Sequence, residues 1–155
     1  MSVLGLRECI VRGIGLDCSV VRSGKQALKA ACSRALEARN GWRFEASVDL
    51  DGALREKHPN ENRWDYGLEV TGPGGKRSVE WVEFHPACSG EVDRMIKKKQ
   101  WLEAQLARTK VCPRPAKKNL HWVATGGIAI DLTRGRLLNQ AGLAWPQKRL
   151  RLPLP

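Results

Sequence analysis

The change of hydrophobic period near Ser89 limits how this chain can fold more than any other feature of the sequence. Before it, three segments alternate with period two. In "WRFEASVDL", Trp42, Phe44, Ala46, Val48 and Leu50 point one way and Arg43, Glu45, Ser47 and Asp49 the other. "WDYGLEV" sets Trp64, Tyr66, Leu68 and Val70 against Asp65, Gly67 and Glu69. "SVEWVEFH" sets Val82 and Phe84 against Trp81, Glu83 and His85. The turn-rich "DGALREKHPNEN" and the glycine-rich "TGPGGK" join them, so an antiparallel meander is the simplest arrangement. After Ser89 the apolar residues Val92, Met95, Ile96, Leu102 and Leu106 recur at helical spacing. Pro113 and Pro115 end that helix. "LHWVAT" then reads as a fourth strand, returned by the helical crossover to lie parallel to a meander strand.

Upstream, Ser23 and Gln26 have the spacing of a capping box. Ala27, Leu28, Ala31, Cys32, Ala35 and Leu36 continue with helical period, and Asn40-Gly41 supplies a stop. The spacing predicts a helix over about 25–39. "GIGLDCSVVRSGK" is not a phosphate-binding loop, because Ser19 and Gln26 stand where a glycine and a Ser or Thr are needed. Beyond 125 the sequence suggests a short strand, a short helix around 133–141 and an extended basic end. The fold expected is mixed α/β in the order helix, strand, strand, strand, helix, strand, with helices flanking the sheet. It forms one domain over 1–155, with a core at about 25–125 and a basic C-terminal extension at 126–155.

Charge divides the chain sharply. Residues 1–93 carry 13 basic and 14 acidic side chains, and residues 94–155 carry 14 basic and only two acidic, Glu103 and Asp131. A one-sided cationic half is the electrostatic footprint of a polyphosphate binder, which makes nucleic acid the expected partner. The five cysteines, Cys9, Cys18, Cys32, Cys88 and Cys112, include no C-x-x-C pair and are odd in number. Reduced structural thiols are therefore expected, in place of a zinc cluster or a disulfide scaffold. No apolar run is long enough to span a membrane, and Arg7, Glu8 and Arg12 interrupt any signal-peptide core. The cytoplasm is the expected compartment.

Strand parity puts Asp65, Glu83 and His85 on one face. Two facing carboxylates with a nearby carbonyl offer the oxygen ligands that magnesium takes, and such an ion can polarise a phosphodiester and activate water. The element order, the aspartate opening the second strand and the E-x-H of "VEFH" resemble the PD-(D/E)XK nuclease superfamily over about 25–125. The resemblance implies a restriction-endonuclease-like core and magnesium- or manganese-assisted hydrolysis of DNA. It further implies Asp65 and Glu83 as metal ligands with the Phe84 carbonyl as a third, and an acid from the first helix, for which Glu37 is the candidate. His85 stands where the motif has lysine. Imidazole can accept a proton near neutral pH but lacks a permanent charge, so altered or lost activity belongs among the expectations.

On the long helix Arg94, Lys98, Trp101 and Arg108 fall at helical spacing with Lys97 beside them, a stripe suited to phosphates and to stacking on the indole. Lys117, Lys118, Arg134 and Arg136 are further phosphate candidates, and Lys148, Arg149 and Arg151 fit either phosphate contacts or a charged edge strand. A non-catalytic nucleic-acid-binding module and a protein-interaction partner on the same scaffold are the competing functions, and a homodimer is compatible with either.

Overall fold

The computed structural model describes residues 5–155. Five strands form one mixed sheet in the order β1-β3-β4-β5-β6: β1 (Val21–Ser23), β3 (Arg43–Asp49), β4 (Tyr66–Thr71), β5 (Arg77–Cys88) and β6 (Leu120–Ala129). Neighbours from β1 to β5 are antiparallel. β6 runs parallel to β5 after the crossover helix α4 (Val92–Ala107). The meander, the crossover and the parallel return are therefore as expected. A second sheet pairs β2 (Leu36–Ala38) with β7 (Leu150–Leu152) in parallel. Short helices α1 (Leu6–Glu8), α2 (Ala30–Arg34), α3 (Leu50–Leu54) and α5 (Leu132–Gln140) join these, with a π-helical stretch over Cys9–Ile14 and four single 3-10 turns.

Both faces of the large sheet are covered. On one, Trp81, Leu120 and Trp122 pack against Val92, Met95, Leu102 and Leu106 of α4, with Leu6 of α1 and Leu138 of α5. On the other, Tyr66, Leu68, Val70, Val82 and Val123 pack against Leu36 of β2 and Leu150 and Leu152 of β7. A sheet buried twice has no wet face, so polar groups beneath α4 must find partners there.

Four expectations need correction. The helix over 25–39 is replaced by a turn, the five-residue α2 and the strand β2. Lys25 Nζ donates to the carbonyls of Ser33 at 2.9 Å and Leu36 at 3.0 Å, closing the helix early. Leu36–Ala38 then pairs with Leu150–Leu152, and that distant strand outweighs local propensity. Strand β3 does not keep one parity. Phe44 pairs with Val70 but Ala46 pairs with Glu69, so Glu45 is an extra residue. Trp42 and Phe44 consequently join the β2–β7 side, whereas Ala46 and Val48 join the α4 side. Trp64 departs from the face of Tyr66 in the same way, entering the α4-side core because it precedes the regular strand.

The fourth correction concerns the thiols. Cys9 and Cys112 form a disulfide joining the π-helical stretch to the segment after α4, while Cys18, Cys32 and Cys88 are free. Such a bond belongs with oxidising surroundings, which pulls against the cytoplasmic expectation. Among the described residues no helix is long and apolar enough to cross a membrane. The segment 126–155 is part of the packed fold, since β6 runs on to Ala129, Leu138 of α5 is buried and β7 closes the second sheet.

Candidate active site

Strand pairing brings the two acids together. Tyr66 pairs with Val82, and one step further along the ladder Asp65 faces Glu83. Each carboxylate is fixed by the opposite strand's backbone. The Asp65 amide donates to Glu83 Oε2 at 2.7 Å, and the Phe84 amide donates to Asp65 Oδ2 at 2.9 Å. Glu83 is fully buried, whereas Asp65 is half-buried. Phe84 turns its ring to the other face, edge-on to Tyr66 at 5.8 Å between centroids. Its carbonyl points to the same side of the strand as its amide, toward β4.

The third member of the cluster is Lys98. Its ammonium donates to Glu83 Oε1 and, at 3.1 Å, to the Arg63 carbonyl. Sequence spacing puts Lys98 on a phosphate-gripping stripe, but its side chain is only 15% exposed and points inward under the helix. One signal did mark it. Lys98 is three residues after Met95 and four before Leu102, both buried, so a helix carrying those two inward carries Lys98 with them.

Burial raises the proton affinity of both acids. The Glu83 carboxyl is pushed up to about 8, first by burial and then by the negative charge of Asp65, against the opposing pull of Lys98. Asp65 is raised by burial, partly offset by the Phe84 amide and Lys98. His85 lies at the edge of the cluster. Its Nε2 meets Glu91 Oε2 at 2.7 Å, and its Nδ1 is 4.0 Å from Glu83 Oε1. Glu91 is held below the ordinary glutamate range, chiefly by that imidazole. The E-x-H pair is thus the inner end of a line Glu83–His85–Glu91, continued by Arg94, whose Nη1 is 3.7 Å from Glu91. Glu91 has no counterpart among the expected site residues.

The donor types are those that magnesium or manganese takes, but Glu83 is buried with both oxygens engaged, by the Asp65 amide and by Lys98. Lys98 would have to yield Oε1 before an ion could reach it. Two carboxylates and a strand carbonyl are hard oxygen ligands, and such ions commonly take only one or two carboxylates and keep several waters. Asp65 Oδ1 accepts no hydrogen bond from the described residues, in contrast to Oδ2 and to both Glu83 oxygens. No group of three or more His, Cys, Asp and Glu side chains among the described residues is arranged to hold a metal.

Several expected site residues lie elsewhere. Glu37 is in β2, exposed and paired with Arg151 at 3.2 Å, because the helix expected to present it does not form. Trp101 is 8% exposed, packs in the α4-side core and donates from its indole to Glu61 at 3.2 Å, so it offers no open ring for stacking. Arg134 makes a double contact with Asp93 at 3.0 and 3.2 Å, and Lys117 donates to Asn139. Arg94, Lys97, Arg108, Lys118 and Arg136 are exposed.

No family model, curated protein sequence or solved structure matches this chain.

Proposed function

We propose that this protein is a metal-dependent, nuclease-like protein acting on DNA, with a restriction-endonuclease-like core over β3, β4, β5, α4 and β6. Asp65 and Glu83 would hold magnesium or manganese, and Lys98 would take the role the motif assigns to lysine. The observation that carries the reading is the meeting of Asp65, Glu83 and Lys98 from two strands and the crossover helix. The positive charge missing from the sequence position of His85 reaches the same carboxylate from α4.

Each residue then has a distinct task. Asp65, held through Oδ2 by the Phe84 amide, keeps Oδ1 for the ion or the phosphodiester. Glu83 is locked by the Asp65 amide, so the spacing of the two acids is set by backbone. Lys98 lies against Glu83 before substrate arrives and can donate to a phosphate oxygen or to the attacking water. His85, oriented by Glu91, guards the edge of the cluster and can accept a proton there. A bound divalent ion would supply Lewis-acid polarisation of the phosphodiester and a more acidic water. Arg94 and Lys97, exposed on α4 beside this edge, suit the DNA backbone.

A non-catalytic nucleic-acid-binding function has one observation in its favour: Lys98 already compensates Glu83 with no metal needed. Plasmid, linear and single-stranded DNA incubated with manganese separate the two. The nuclease reading expects cleavage that Asp65→Ala and Glu83→Ala each abolish and that Lys98→Met cuts about 100-fold or more, the scale of losing one charged transition-state contact. Cleavage surviving in both acid variants refutes it. Salt-sensitive binding with no cleavage by the wild-type protein selects the non-catalytic function.

A further inference from the structure

An open cleft of about 790 Å³ lies between the β2–β7 sheet and the first half of β3, lined in part by Lys25, Asn40, Trp42, Arg43, Phe44 and Arg151. We propose that it binds a nucleotide unit, the phosphate and planar base of a nucleic-acid strand or of a free nucleotide. This deepens the nucleic-acid part of the reading above and rests on it for the class of ligand, but it is independent of catalysis. Phe44 pairs with Val70, five residues along β4 from Asp65, or about 17 Å of strand, and it packs on the opposite face of the sheet.

The wall of the cleft is aromatic and held in place. The Trp42 ring lies so close to Gly72 that a Cβ there would sit 2.4 Å from the indole, so any larger residue would displace the ring. Phe44 is half-buried, with the Lys25 ammonium 5.1 Å from its ring centre. A rigid ring at the border of a cleft is a stacking platform that tolerates any base, and Trp42 supplies it, since Lys25 already lies over Phe44.

The rim is cationic, and its two arginines are lightly committed, whereas Lys25 is held by the Ser33 and Leu36 carbonyls. Arg43 pairs with Glu45 while 77% exposed, and Arg151 pairs with Glu37 while 69% exposed. Exposed pairs of this kind contribute little and are readily exchanged for a phosphate, which a guanidinium can grip through two parallel bonds. Three cations against Glu37 leave the lining positive, which suits an anion. Asn40 adds a donor and an acceptor for a base edge. Aromatic walls with guanidinium rims fit a ligand that is planar at one end and anionic at the other.

The test is binding in EDTA and low salt, where cleavage cannot intervene, of a fluorescein-labelled oligothymidylate of about eight nucleotides, within the span such grooves cover. Trp42→Leu should weaken binding about 5- to 150-fold, the range for loss of one stacked base. Arg43→Gln with Arg151→Gln should lower the slope of log affinity against log salt by about 1.4, two single-strand phosphate contacts. That double variant changes only exposed side chains and decides the matter if Trp42→Leu fails to fold. Because binding is read in EDTA and cleavage in manganese, failure here and failure of the catalytic reading are separable. Competition by thymidine monophosphate would support a free nucleotide as the unit, and its absence would support a strand. Unchanged affinity and salt slope in the double variant, or full competition by inorganic phosphate alone, overturns the proposal.

Discussion

Replacing Lys98 with methionine tests the electrostatics of the Asp65–Glu83–Lys98 cluster directly. The lysine is the cation that touches Glu83, a carboxylate with no exposed surface and a proton affinity raised to about 8. Because the folded value lies above the unfolded one of about 4.3, the folded protein holds the extra proton between them. Wild-type stability at this group therefore falls as pH rises through that window and levels off above about 8, where Glu83 is ionised against Lys98. Without Lys98 the carboxyl holds its proton more tightly still, and the decline continues past that point. At pH 6 Glu83 is protonated in both proteins, and the variant loses only the lysine's hydrogen bonds, roughly 1–2 kcal/mol. At pH 9.5 the difference widens by about 1.4 kcal/mol for each tenfold gain in proton affinity. It cannot exceed the roughly 3–5 kcal/mol of breaking a buried pair. Urea unfolding of wild type, Lys98→Met, Glu83→Gln and the double variant at both pH values supplies the cycle. In the Glu83→Gln background the pH dependence of the lysine substitution should vanish. A Lys98→Met penalty equal at both pH values, or one that stays pH-dependent without Glu83, refutes the coupling.

Gly67→Ala should destabilise by about 1–3 kcal/mol through overpacking, because a Cβ there would lie 2.7 Å from the Trp81 ring and 3.1 Å from Leu6; thermal melts with tryptophan fluorescence would register it. Replacing both Cys9 and Cys112 with serine opens a loop with a sequence separation of 103. It should lower unfolding free energy by about 2–4 kcal/mol in urea, and wild type in a dithiol reductant should move toward the same midpoint.

What was legible in the sequence was what short-range period encodes. The strands around Tyr66–Thr71 and Arg77–Cys88, the helix Val92–Ala107 and the facing of Asp65 and Glu83 all follow from spacing, since the period alone sorts residues onto the faces of an element. Long-range pairing and single-residue irregularities were not legible. Nothing near Leu36 announces that its partner is Leu150, and a good helical period there gives way to that partner. The extra residue at Glu45 reverses the facing of Trp42 and Phe44 without altering the alternation a reader sees. The site was half visible. Its acids follow from parity, but its cation comes from α4 and needed the inference that a lysine on a buried stripe must have a partner. Cys9 and Cys112 are too far apart in the chain for spacing to connect them.

The pairing of β2 with β7 also bears on how the chain is made. The ribosome must add 114 residues after Leu36, counting from 36 to 150 in the paired register, before the second sheet can close. At translation rates of about 5–20 residues per second this takes roughly 6–23 s. During that interval Tyr66, Leu68 and Val70, and then Val82 and Val123 as they emerge, lack the cover of Leu150 and Leu152. The nascent chain thus carries an uncapped apolar surface through most of its synthesis, and its yield in a cell depends on what shields that surface until the second sheet closes.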